Sequence, residues 1–145
     1  MEFAYYLFFG LSVFFGGIPW IVLGAKEKRT ALGTSIALIW FFMPDNIRVF
    51  LNEGNLPRML AIVLVPYLVY FLWSYIRKEK KNALLWLILV MAAMVLSHVM
   101  IAAIAGVATF VFLVVDGFYN KNFNRSVWAL LSMLSGIALT GIWLV

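Results

Sequence analysis

The sequence predicts an all-α, polytopic transmembrane helical bundle of about six membrane segments, some of them short or broken. Of its 145 residues, 66% are hydrophobic and only 12% are charged, whereas soluble domains contain about 25% charged residues. Apolar stretches of bilayer length alternate with short polar interruptions. Cationic residues are concentrated in loops, as is typical of cytoplasmic loops. We therefore expect a multi-pass protein of the cell membrane, with residues 1–145 forming a single transmembrane domain.

The first predicted segment covers residues 3–24, which carry no charge. As a helix it reaches about 33 Å, close to a hydrocarbon core of about 30 Å. Two adjacent glycines and Pro19 are expected to interrupt it, which a membrane helix tolerates when its neighbours cover the freed backbone groups.

A basic loop, residues 26–29, separates the first segment from the second. Its net charge of +2 places it in the cytoplasm, and Thr30 is expected to cap the following helix. That helix, residues 31–43, is short for a crossing, so it must tilt or extend into the polar residues that follow.

The third segment, residues 60–76, is predicted to be broken at Pro66. It ends in the loop formed by residues 77–81, whose net charge of +3 again indicates the cytoplasm. Since two segments separate the two basic loops, their positions agree, and residues 44–58 are expected on the outer side.

The next 33 residues, 83–115, are apolar apart from Ser97, His98 and Thr109. One helix of this length measures about 50 Å and overshoots the bilayer. We therefore expect a break at residues 96–98, with a further bend at Gly106. A polar loop at residues 116–125 precedes a last segment, residues 126–145. Five crossings is the alternative if the stretch after the break does not cross.

The polar segment, residues 44–58, reads PDNIRVFLNEGNLPR and is the longest polar interruption. It holds two acids and two bases in balance, and its prolines and glycine are expected to impose a bent, non-helical path. Arginine presents a fork of donors that suits phosphate or carboxylate, and a lipid-linked phosphate or a lipid headgroup is the natural candidate at a membrane surface. The alternative is that Asp45, Arg48, Glu53 and Arg58 pair with one another and only fold the loop.

Known enzyme signatures are missing from the sequence. It contains no cysteine and a single histidine, which excludes metal sites built from cysteine or from several histidines. Asp45 and Glu53 are the only plausible carboxylate pair, and a hard cation such as Mg²⁺ or Mn²⁺ is the ion they could hold. Their spacing defines no ligand geometry, so we assign no metal site.

Several motifs carry a resemblance to a known family. They are FFMPDNIR at residues 41–48, EGNLPR at residues 53–58, Pro66, and Leu96-Ser97-His98. In this order and spacing they resemble the membrane proteins related to 6-pyruvoyl-tetrahydropterin synthase. Those proteins resemble GT-C-type glycosyltransferases, polytopic enzymes that use polyprenyl-phosphate-linked sugars. The resemblance covers approximately residues 11–115.

The resemblance implies that the protein holds a lipid-linked phosphate or sugar at the outer face. The arginines of the polar segment contact the phosphate, its acids and Asn55 shape the loop or bind a metal or sugar, and the histidine completes the pocket. The expected substrate-binding residues are Asp45, Arg48, Glu53, Asn55, Arg58 and His98.

Catalysis does not follow from this resemblance. GT-C enzymes carry a catalytic acid in their first outer loop, whereas the first loop here is the basic one, with Glu27 among cations on the predicted inner side. We expect an internal block of such a protein, or a small relative without the catalytic loop, and assign no catalytic residue.

Two other functions stay open. A structural or assembly subunit of a larger membrane complex would need no ligand, and small residues on helix faces favour it. A transporter module is disfavoured because the charges are confined to loops and segment ends. The expected partners are membrane lipids, a polyprenyl-phosphate-linked sugar and other membrane subunits. The net charge of +5 is explained by topology, so nucleic acid is not expected.

Overall fold

The computed structural model describes residues 2–141, without the side chains of Glu2 and Phe50. These residues form α-helices and one π-helical segment and contain no β-strand, which confirms the all-α prediction. The elements are α1 Glu2–Lys26, α2 Thr30–Phe41, α3 Pro44–Arg48, the π-helical segment Val49–Glu53, α4 Leu56–Lys78, α5 Asn82–Ser97, α6 Val99–Asn120 and α7 Phe123–Gly141.

Three of the described helices, α1, α4 and α6, are long and apolar enough to cross a membrane. A fourth crossing is possible if α2, α3 and the π-helical segment act as one span bent by 54°. Helix α5 is apolar but has only 16 residues. The last predicted segment falls on α7, and its residues 142–145 lie outside the described residues. Six crossings therefore stay a prediction.

The predicted interruptions at Gly16, Gly17, Pro19 and Pro66 are wrong, because all four residues lie inside continuous helices. A proline removes one N–H, so the carbonyl four residues earlier loses its helical partner. For Pro19 this carbonyl belongs to Phe15, and the Tyr67 hydroxyl donates a hydrogen bond to it at 3.0 Å. A side chain of α4 thus supplies the hydrogen-bond donor that α1 lacks at this position, and the helix continues.

The break predicted at residues 96–98 is confirmed. His98 has extended backbone angles, φ −160° and ψ 99°, and separates α5 from α6. The Ser97 hydroxyl donates to the carbonyl of Ala93 at 2.7 Å. Gly106, where a bend was expected, lies inside the continuous helix α6.

The polar loop predicted at residues 116–125 is mostly helical instead. Helix α6 continues to Asn120, whose amide donates to the Asp116 carboxylate at 2.7 Å. This contact is one turn along the helix and supports the helical conformation. The chain turns at Lys121, with φ of +52°, and α7 begins at Phe123.

The first compact unit spans Met1–Tyr70. In it α1 and α2 meet at two glycines: a Cβ atom placed on Gly33 lies 2.5 Å from the Trp20 carbonyl oxygen and 2.8 Å from the Gly24 Cα. Small residues thus permit backbone contact. The expected Thr30 cap is wrong. Arg29 occupies the N-cap position without a side-chain hydrogen bond, because α2 starts one residue earlier than predicted.

The second compact unit spans Phe71–Val145. Its core lies between α5 and α7, and α6 packs against both. Close approach occurs at Gly136, where an added Cβ lies 2.5 Å from the Ile88 carbonyl oxygen. Much of α6 leaves large apolar side chains exposed, as expected for a surface facing lipid. That both units form one domain stays a prediction.

Candidate functional site

Four charged side chains of the polar segment form a closed ring of ion pairs. Arg48 lies 3.2 Å from an Asp45 oxygen and 3.1 Å from a Glu53 oxygen. Arg58 contacts the same two carboxylates, at 3.1 Å and 2.7 Å. Each arginine bridges both acids, and each acid bridges both arginines. This charge ring, as we call it, carries no net charge.

The path of the polar segment corrects the expectation of a non-helical loop. Pro44 occupies the first position of α3, where its missing N–H is not needed. Asp45 and Arg48 are three residues apart on α3 and share a face. The following π-helical segment has a wider turn, with hydrogen bonds between residues five apart. This spacing matches the step from Arg48 to Glu53 and keeps both on one side.

The EGNLPR motif ends one helix and starts the next. Gly54 adopts φ of +58°, a left-handed conformation that suits glycine. The Asn55 side-chain oxygen accepts a hydrogen bond from the backbone N–H of Arg58 at 3.1 Å, as the side chain of an N-cap residue does. Pro57 lies in the first turn of α4, where no donor is required. The motif therefore ends the π-helical segment, starts α4 within two residues and places Arg58 beside the acids.

Asn46 anchors the polar segment to the helices before it. It is buried, and its amide nitrogen donates to the Trp40 carbonyl oxygen at the end of α2, at 2.5 Å. Trp40 in turn packs on α1, since a Cβ atom placed on Gly16 lies 2.5 Å from its ring. Asn46 was not among the predicted site residues. Its position beside the helix-starting Pro44 is the signal that could have assigned it a structural role.

The charge ring has an outer and an inner edge. Side-chain exposure is 62% for Asp45 and 58% for Arg48, but 27% for Glu53 and 22% for Arg58. The Arg58 Nε is buried and has no hydrogen-bond partner among the described residues. Because water screens exposed pairs, the outer contacts are weaker than the inner ones. Asp45 is therefore the acid that another anion can replace most easily.

The carboxylates of the charge ring face cations. Among the side chains that the structure describes, no group of three or more His, Asp or Glu residues could hold a metal ion. Asp45 and Glu53 direct oxygens at Arg48 and Arg58, so a divalent cation at these oxygens would meet two positive charges.

His98 belongs to the second compact unit, whereas the other five predicted site residues belong to the first. It is half-buried, and its Nδ1 is buried without a hydrogen-bond partner among the described residues. Its backbone N–H donates to the Met94 carbonyl oxygen at 2.8 Å. Its expected place in a pocket with the charge ring stays a prediction.

Apolar helices of bilayer length, with charges gathered in short connecting segments, define an all-helical membrane protein. The chain belongs to the family described as 6-pyruvoyl-tetrahydropterin synthase related domain, a membrane protein family that matches residues 1–145. This confirms the family predicted from the motifs. A search of curated proteins found no match, and neither did a search of solved structures. None of these comparisons supports the resemblance to GT-C-type glycosyltransferases.

Proposed function

We propose that the protein binds a phosphate-bearing lipid at the charge ring. The observation that carries this proposal is the convergence of two guanidinium groups on one pair of carboxylates, with every ion pair at 3.2 Å or less. An anion placed between such groups can accept hydrogen bonds from both. Phosphate offers several oxygens and fits the planar fork of arginine.

In this proposal the closed ring is the ligand-free form. The exposed Asp45 carboxylate turns outward and a phosphate takes its place, while the more buried Glu53 keeps Arg58 in position. Arg48, at the outer edge, supplies the accessible guanidinium. The polar segment lies between the apolar helices α2 and α4, so a ligand anchored by a lipid chain presents its phosphate near the height of the ring.

The chemical identity of the proposed ligand is suggested by the resemblance of the family to GT-C-type glycosyltransferases. It favours a polyprenyl-phosphate-linked sugar, with Asn55 contacting the sugar. The N-cap role of the Asn55 oxygen leaves its amide nitrogen for such a contact. We assign no catalytic step to these residues.

A structural role is the second candidate, and the charge balance of the ring favours it. Both cations find both anions without any ligand, and Asn46 and Asn55 fix the ends of the segment through backbone contacts. The ring then acts as a clasp that joins α3 to α4, and the protein serves as an assembly subunit in a larger membrane complex.

The substitution Asp45→Asn separates the two candidates. It keeps the size of the side chain but removes the carboxylate that competes with phosphate. If the ring binds phosphate, the variant should bind a polyprenyl phosphate about tenfold more tightly than the unaltered protein, measured in detergent. Arg58→Lys, which loses the fork, should weaken binding.

Asp116→Asn is the matched control, because it makes the same chemical change outside the ring and should leave binding unchanged. If the ring is only a clasp, neither the unaltered protein nor Asp45→Asn binds the lipid phosphate, and Asp45→Asn merely lowers stability. That result would rule out the binding proposal and leave the structural role.

A further inference from the structure

The charges of the second compact unit gather where α4, α5, α6 and α7 begin or end. Six cations and two carboxylates occur after Tyr70, a net charge of +4, against +1 for the residues before. The cations are Arg77, Lys78, Lys80, Lys81, Lys121 and Arg125. This excess is independent of the charge ring, which is neutral and belongs to the other unit.

A cavity of about 520 Å³ opens at this cationic end. Its size lies within the range of small-molecule sites, about 300–1,000 Å³. One part of its wall is polar, with Glu79, Lys81, Asn122, Asn124 and Arg125, and another part is formed by the apolar surfaces of Leu84 and Trp128. The cavity therefore combines hydrogen-bond donors with a surface that an aliphatic chain can cover.

Arg125 is held in a fixed position on the cavity wall. One of its terminal nitrogens donates to the Ile76 carbonyl oxygen at 2.6 Å, and the other donates to Glu79 at 2.5 Å. The first contact satisfies a carbonyl in the last turn of α4, which lacks a helical partner. Glu79 thus offsets the charge of Arg125 at the cavity.

Lys81 is exposed and forms no ion pair within the described residues. Because Glu79 offsets the charge of Arg125, the Lys81 ammonium is the one uncompensated positive charge among the described residues of the cavity. The amides of Asn122 and Asn124 add neutral donors beside it. The Asn122 side-chain oxygen accepts a hydrogen bond from the backbone N–H of Arg125 at 3.4 Å. This contact turns the Asn122 oxygen toward the start of α7.

We infer that this cavity binds a phosphate group, carried either by an anionic lipid headgroup or by free phosphate. Lys81 supplies the positive charge, and the two asparagine amides donate hydrogen bonds. The ion pair between Arg125 and Glu79 stabilises the wall of the cavity. For a lipid, Leu84 and Trp128 contact the acyl chain next to the headgroup. An interfacial tryptophan beside lysines is typical of membrane-surface contacts.

The test compares two neighbouring lysines in the full chain in detergent. Lys81 lines the cavity and Lys80 does not, yet Lys81→Gln and Lys80→Gln remove the same charge. The probes are short-chain phosphatidic acid, phosphatidylcholine of the same chain length, and inorganic phosphate. Each probe is titrated into the protein, and binding is measured as the rise in the midpoint temperature of thermal unfolding. We expect Lys81→Gln to weaken phosphatidic acid binding about tenfold, and Lys80→Gln to change it no more than about twofold.

Asn124→Asp provides a second variant whose fold should persist, because a carboxylate is favourable in the first turn of a helix. It adds a negative charge to the cavity and should also weaken binding. Stabilisation by phosphatidic acid alone identifies a lipid headgroup, and equal stabilisation by inorganic phosphate identifies a soluble ligand. Equal losses in Lys81→Gln and Lys80→Gln, or equal binding of phosphatidic acid and phosphatidylcholine, would overturn the inference.

Discussion

The hydrogen bond from Tyr67 to the Phe15 carbonyl should stabilise α1 only because Pro19 is present. Pro19 has no N–H for that carbonyl, and the Tyr67 hydroxyl replaces it at 3.0 Å. Tyr67→Phe removes the hydroxyl and little else. The Phe15 carbonyl then lies in an apolar surrounding without a donor.

The expected cost follows from this geometry. An unsatisfied carbonyl in an apolar environment costs about 1–3 kcal/mol, although side-chain hydrogen bonds between membrane helices often contribute less than about 2 kcal/mol. We expect Tyr67→Phe to lower the free energy of unfolding by about 1–2 kcal/mol. In Pro19→Ala the backbone N–H of residue 19 can reach the carbonyl, so adding Tyr67→Phe should then cost less than about 0.5 kcal/mol.

A double-mutant cycle measures this coupling. The unaltered protein, both single variants and the double variant are unfolded reversibly in mixed detergent micelles, and helix content is followed by circular dichroism. Tyr70→Phe is unsuitable as a control because its hydroxyl accepts from Lys26, whereas Tyr119→Phe alters an exposed tyrosine of α6. Equal costs of Tyr67→Phe with and without Pro19 would refute the reasoning.

Three further predictions follow from the same structure. Single cysteines placed in this cysteine-free chain at Asn52 and Lys80 should be labelled from opposite sides of the membrane, and labelling from the same side contradicts the topology. Gly33→Ala should lower the free energy of unfolding by about 1–2 kcal/mol, because the added Cβ meets backbone atoms of α1. Gly10→Ala is the control and should not lower it, because an added Cβ at Gly10 has no atom within 4 Å. Equal melting curves of the two variants would show that α1 and α2 do not pack at Gly33. Asn55→Ala should lower the free energy of unfolding by about 1 kcal/mol through loss of the N-cap, whereas Asn55→Ser, which can still cap the helix, should retain most of the stability of the unaltered protein. Equal losses in the two variants would assign the effect to something other than the cap.

Composition and the length of apolar runs were enough to predict the protein class and one helix break. A hydrophobic fraction of 66% has no explanation in a small soluble domain, and a 33-residue apolar run cannot stay straight inside a bilayer. The break at His98 follows from that length limit, which depends only on the order of residues. The EGNLPR motif likewise identified the family, because motif order is also a property of the linear chain.

The path of the polar segment depended on tertiary contacts and was mispredicted. Pro44, Gly54 and Pro57 were interpreted as helix breakers, but each lies at a helix end, where a missing N–H or a left-handed residue is accommodated. The same holds for Pro19, whose effect on α1 is repaired by a tyrosine 48 positions later in the chain. Whether a proline breaks a helix depends on partners that local sequence does not contain.

The sequence by itself determined which charges were available in the polar segment, and only the tertiary structure decided how they pair. Two acids and two bases within residues 44–58 allowed either mutual pairing or a free guanidinium. The ring closes because the wide π-helical turn sets Glu53 beside Arg48, and the two-residue connection at Gly54 and Asn55 places Arg58 beside both acids. Ion pairing depends on distances of a few ångströms, and those distances are fixed by the packing of helices rather than by the order of residues.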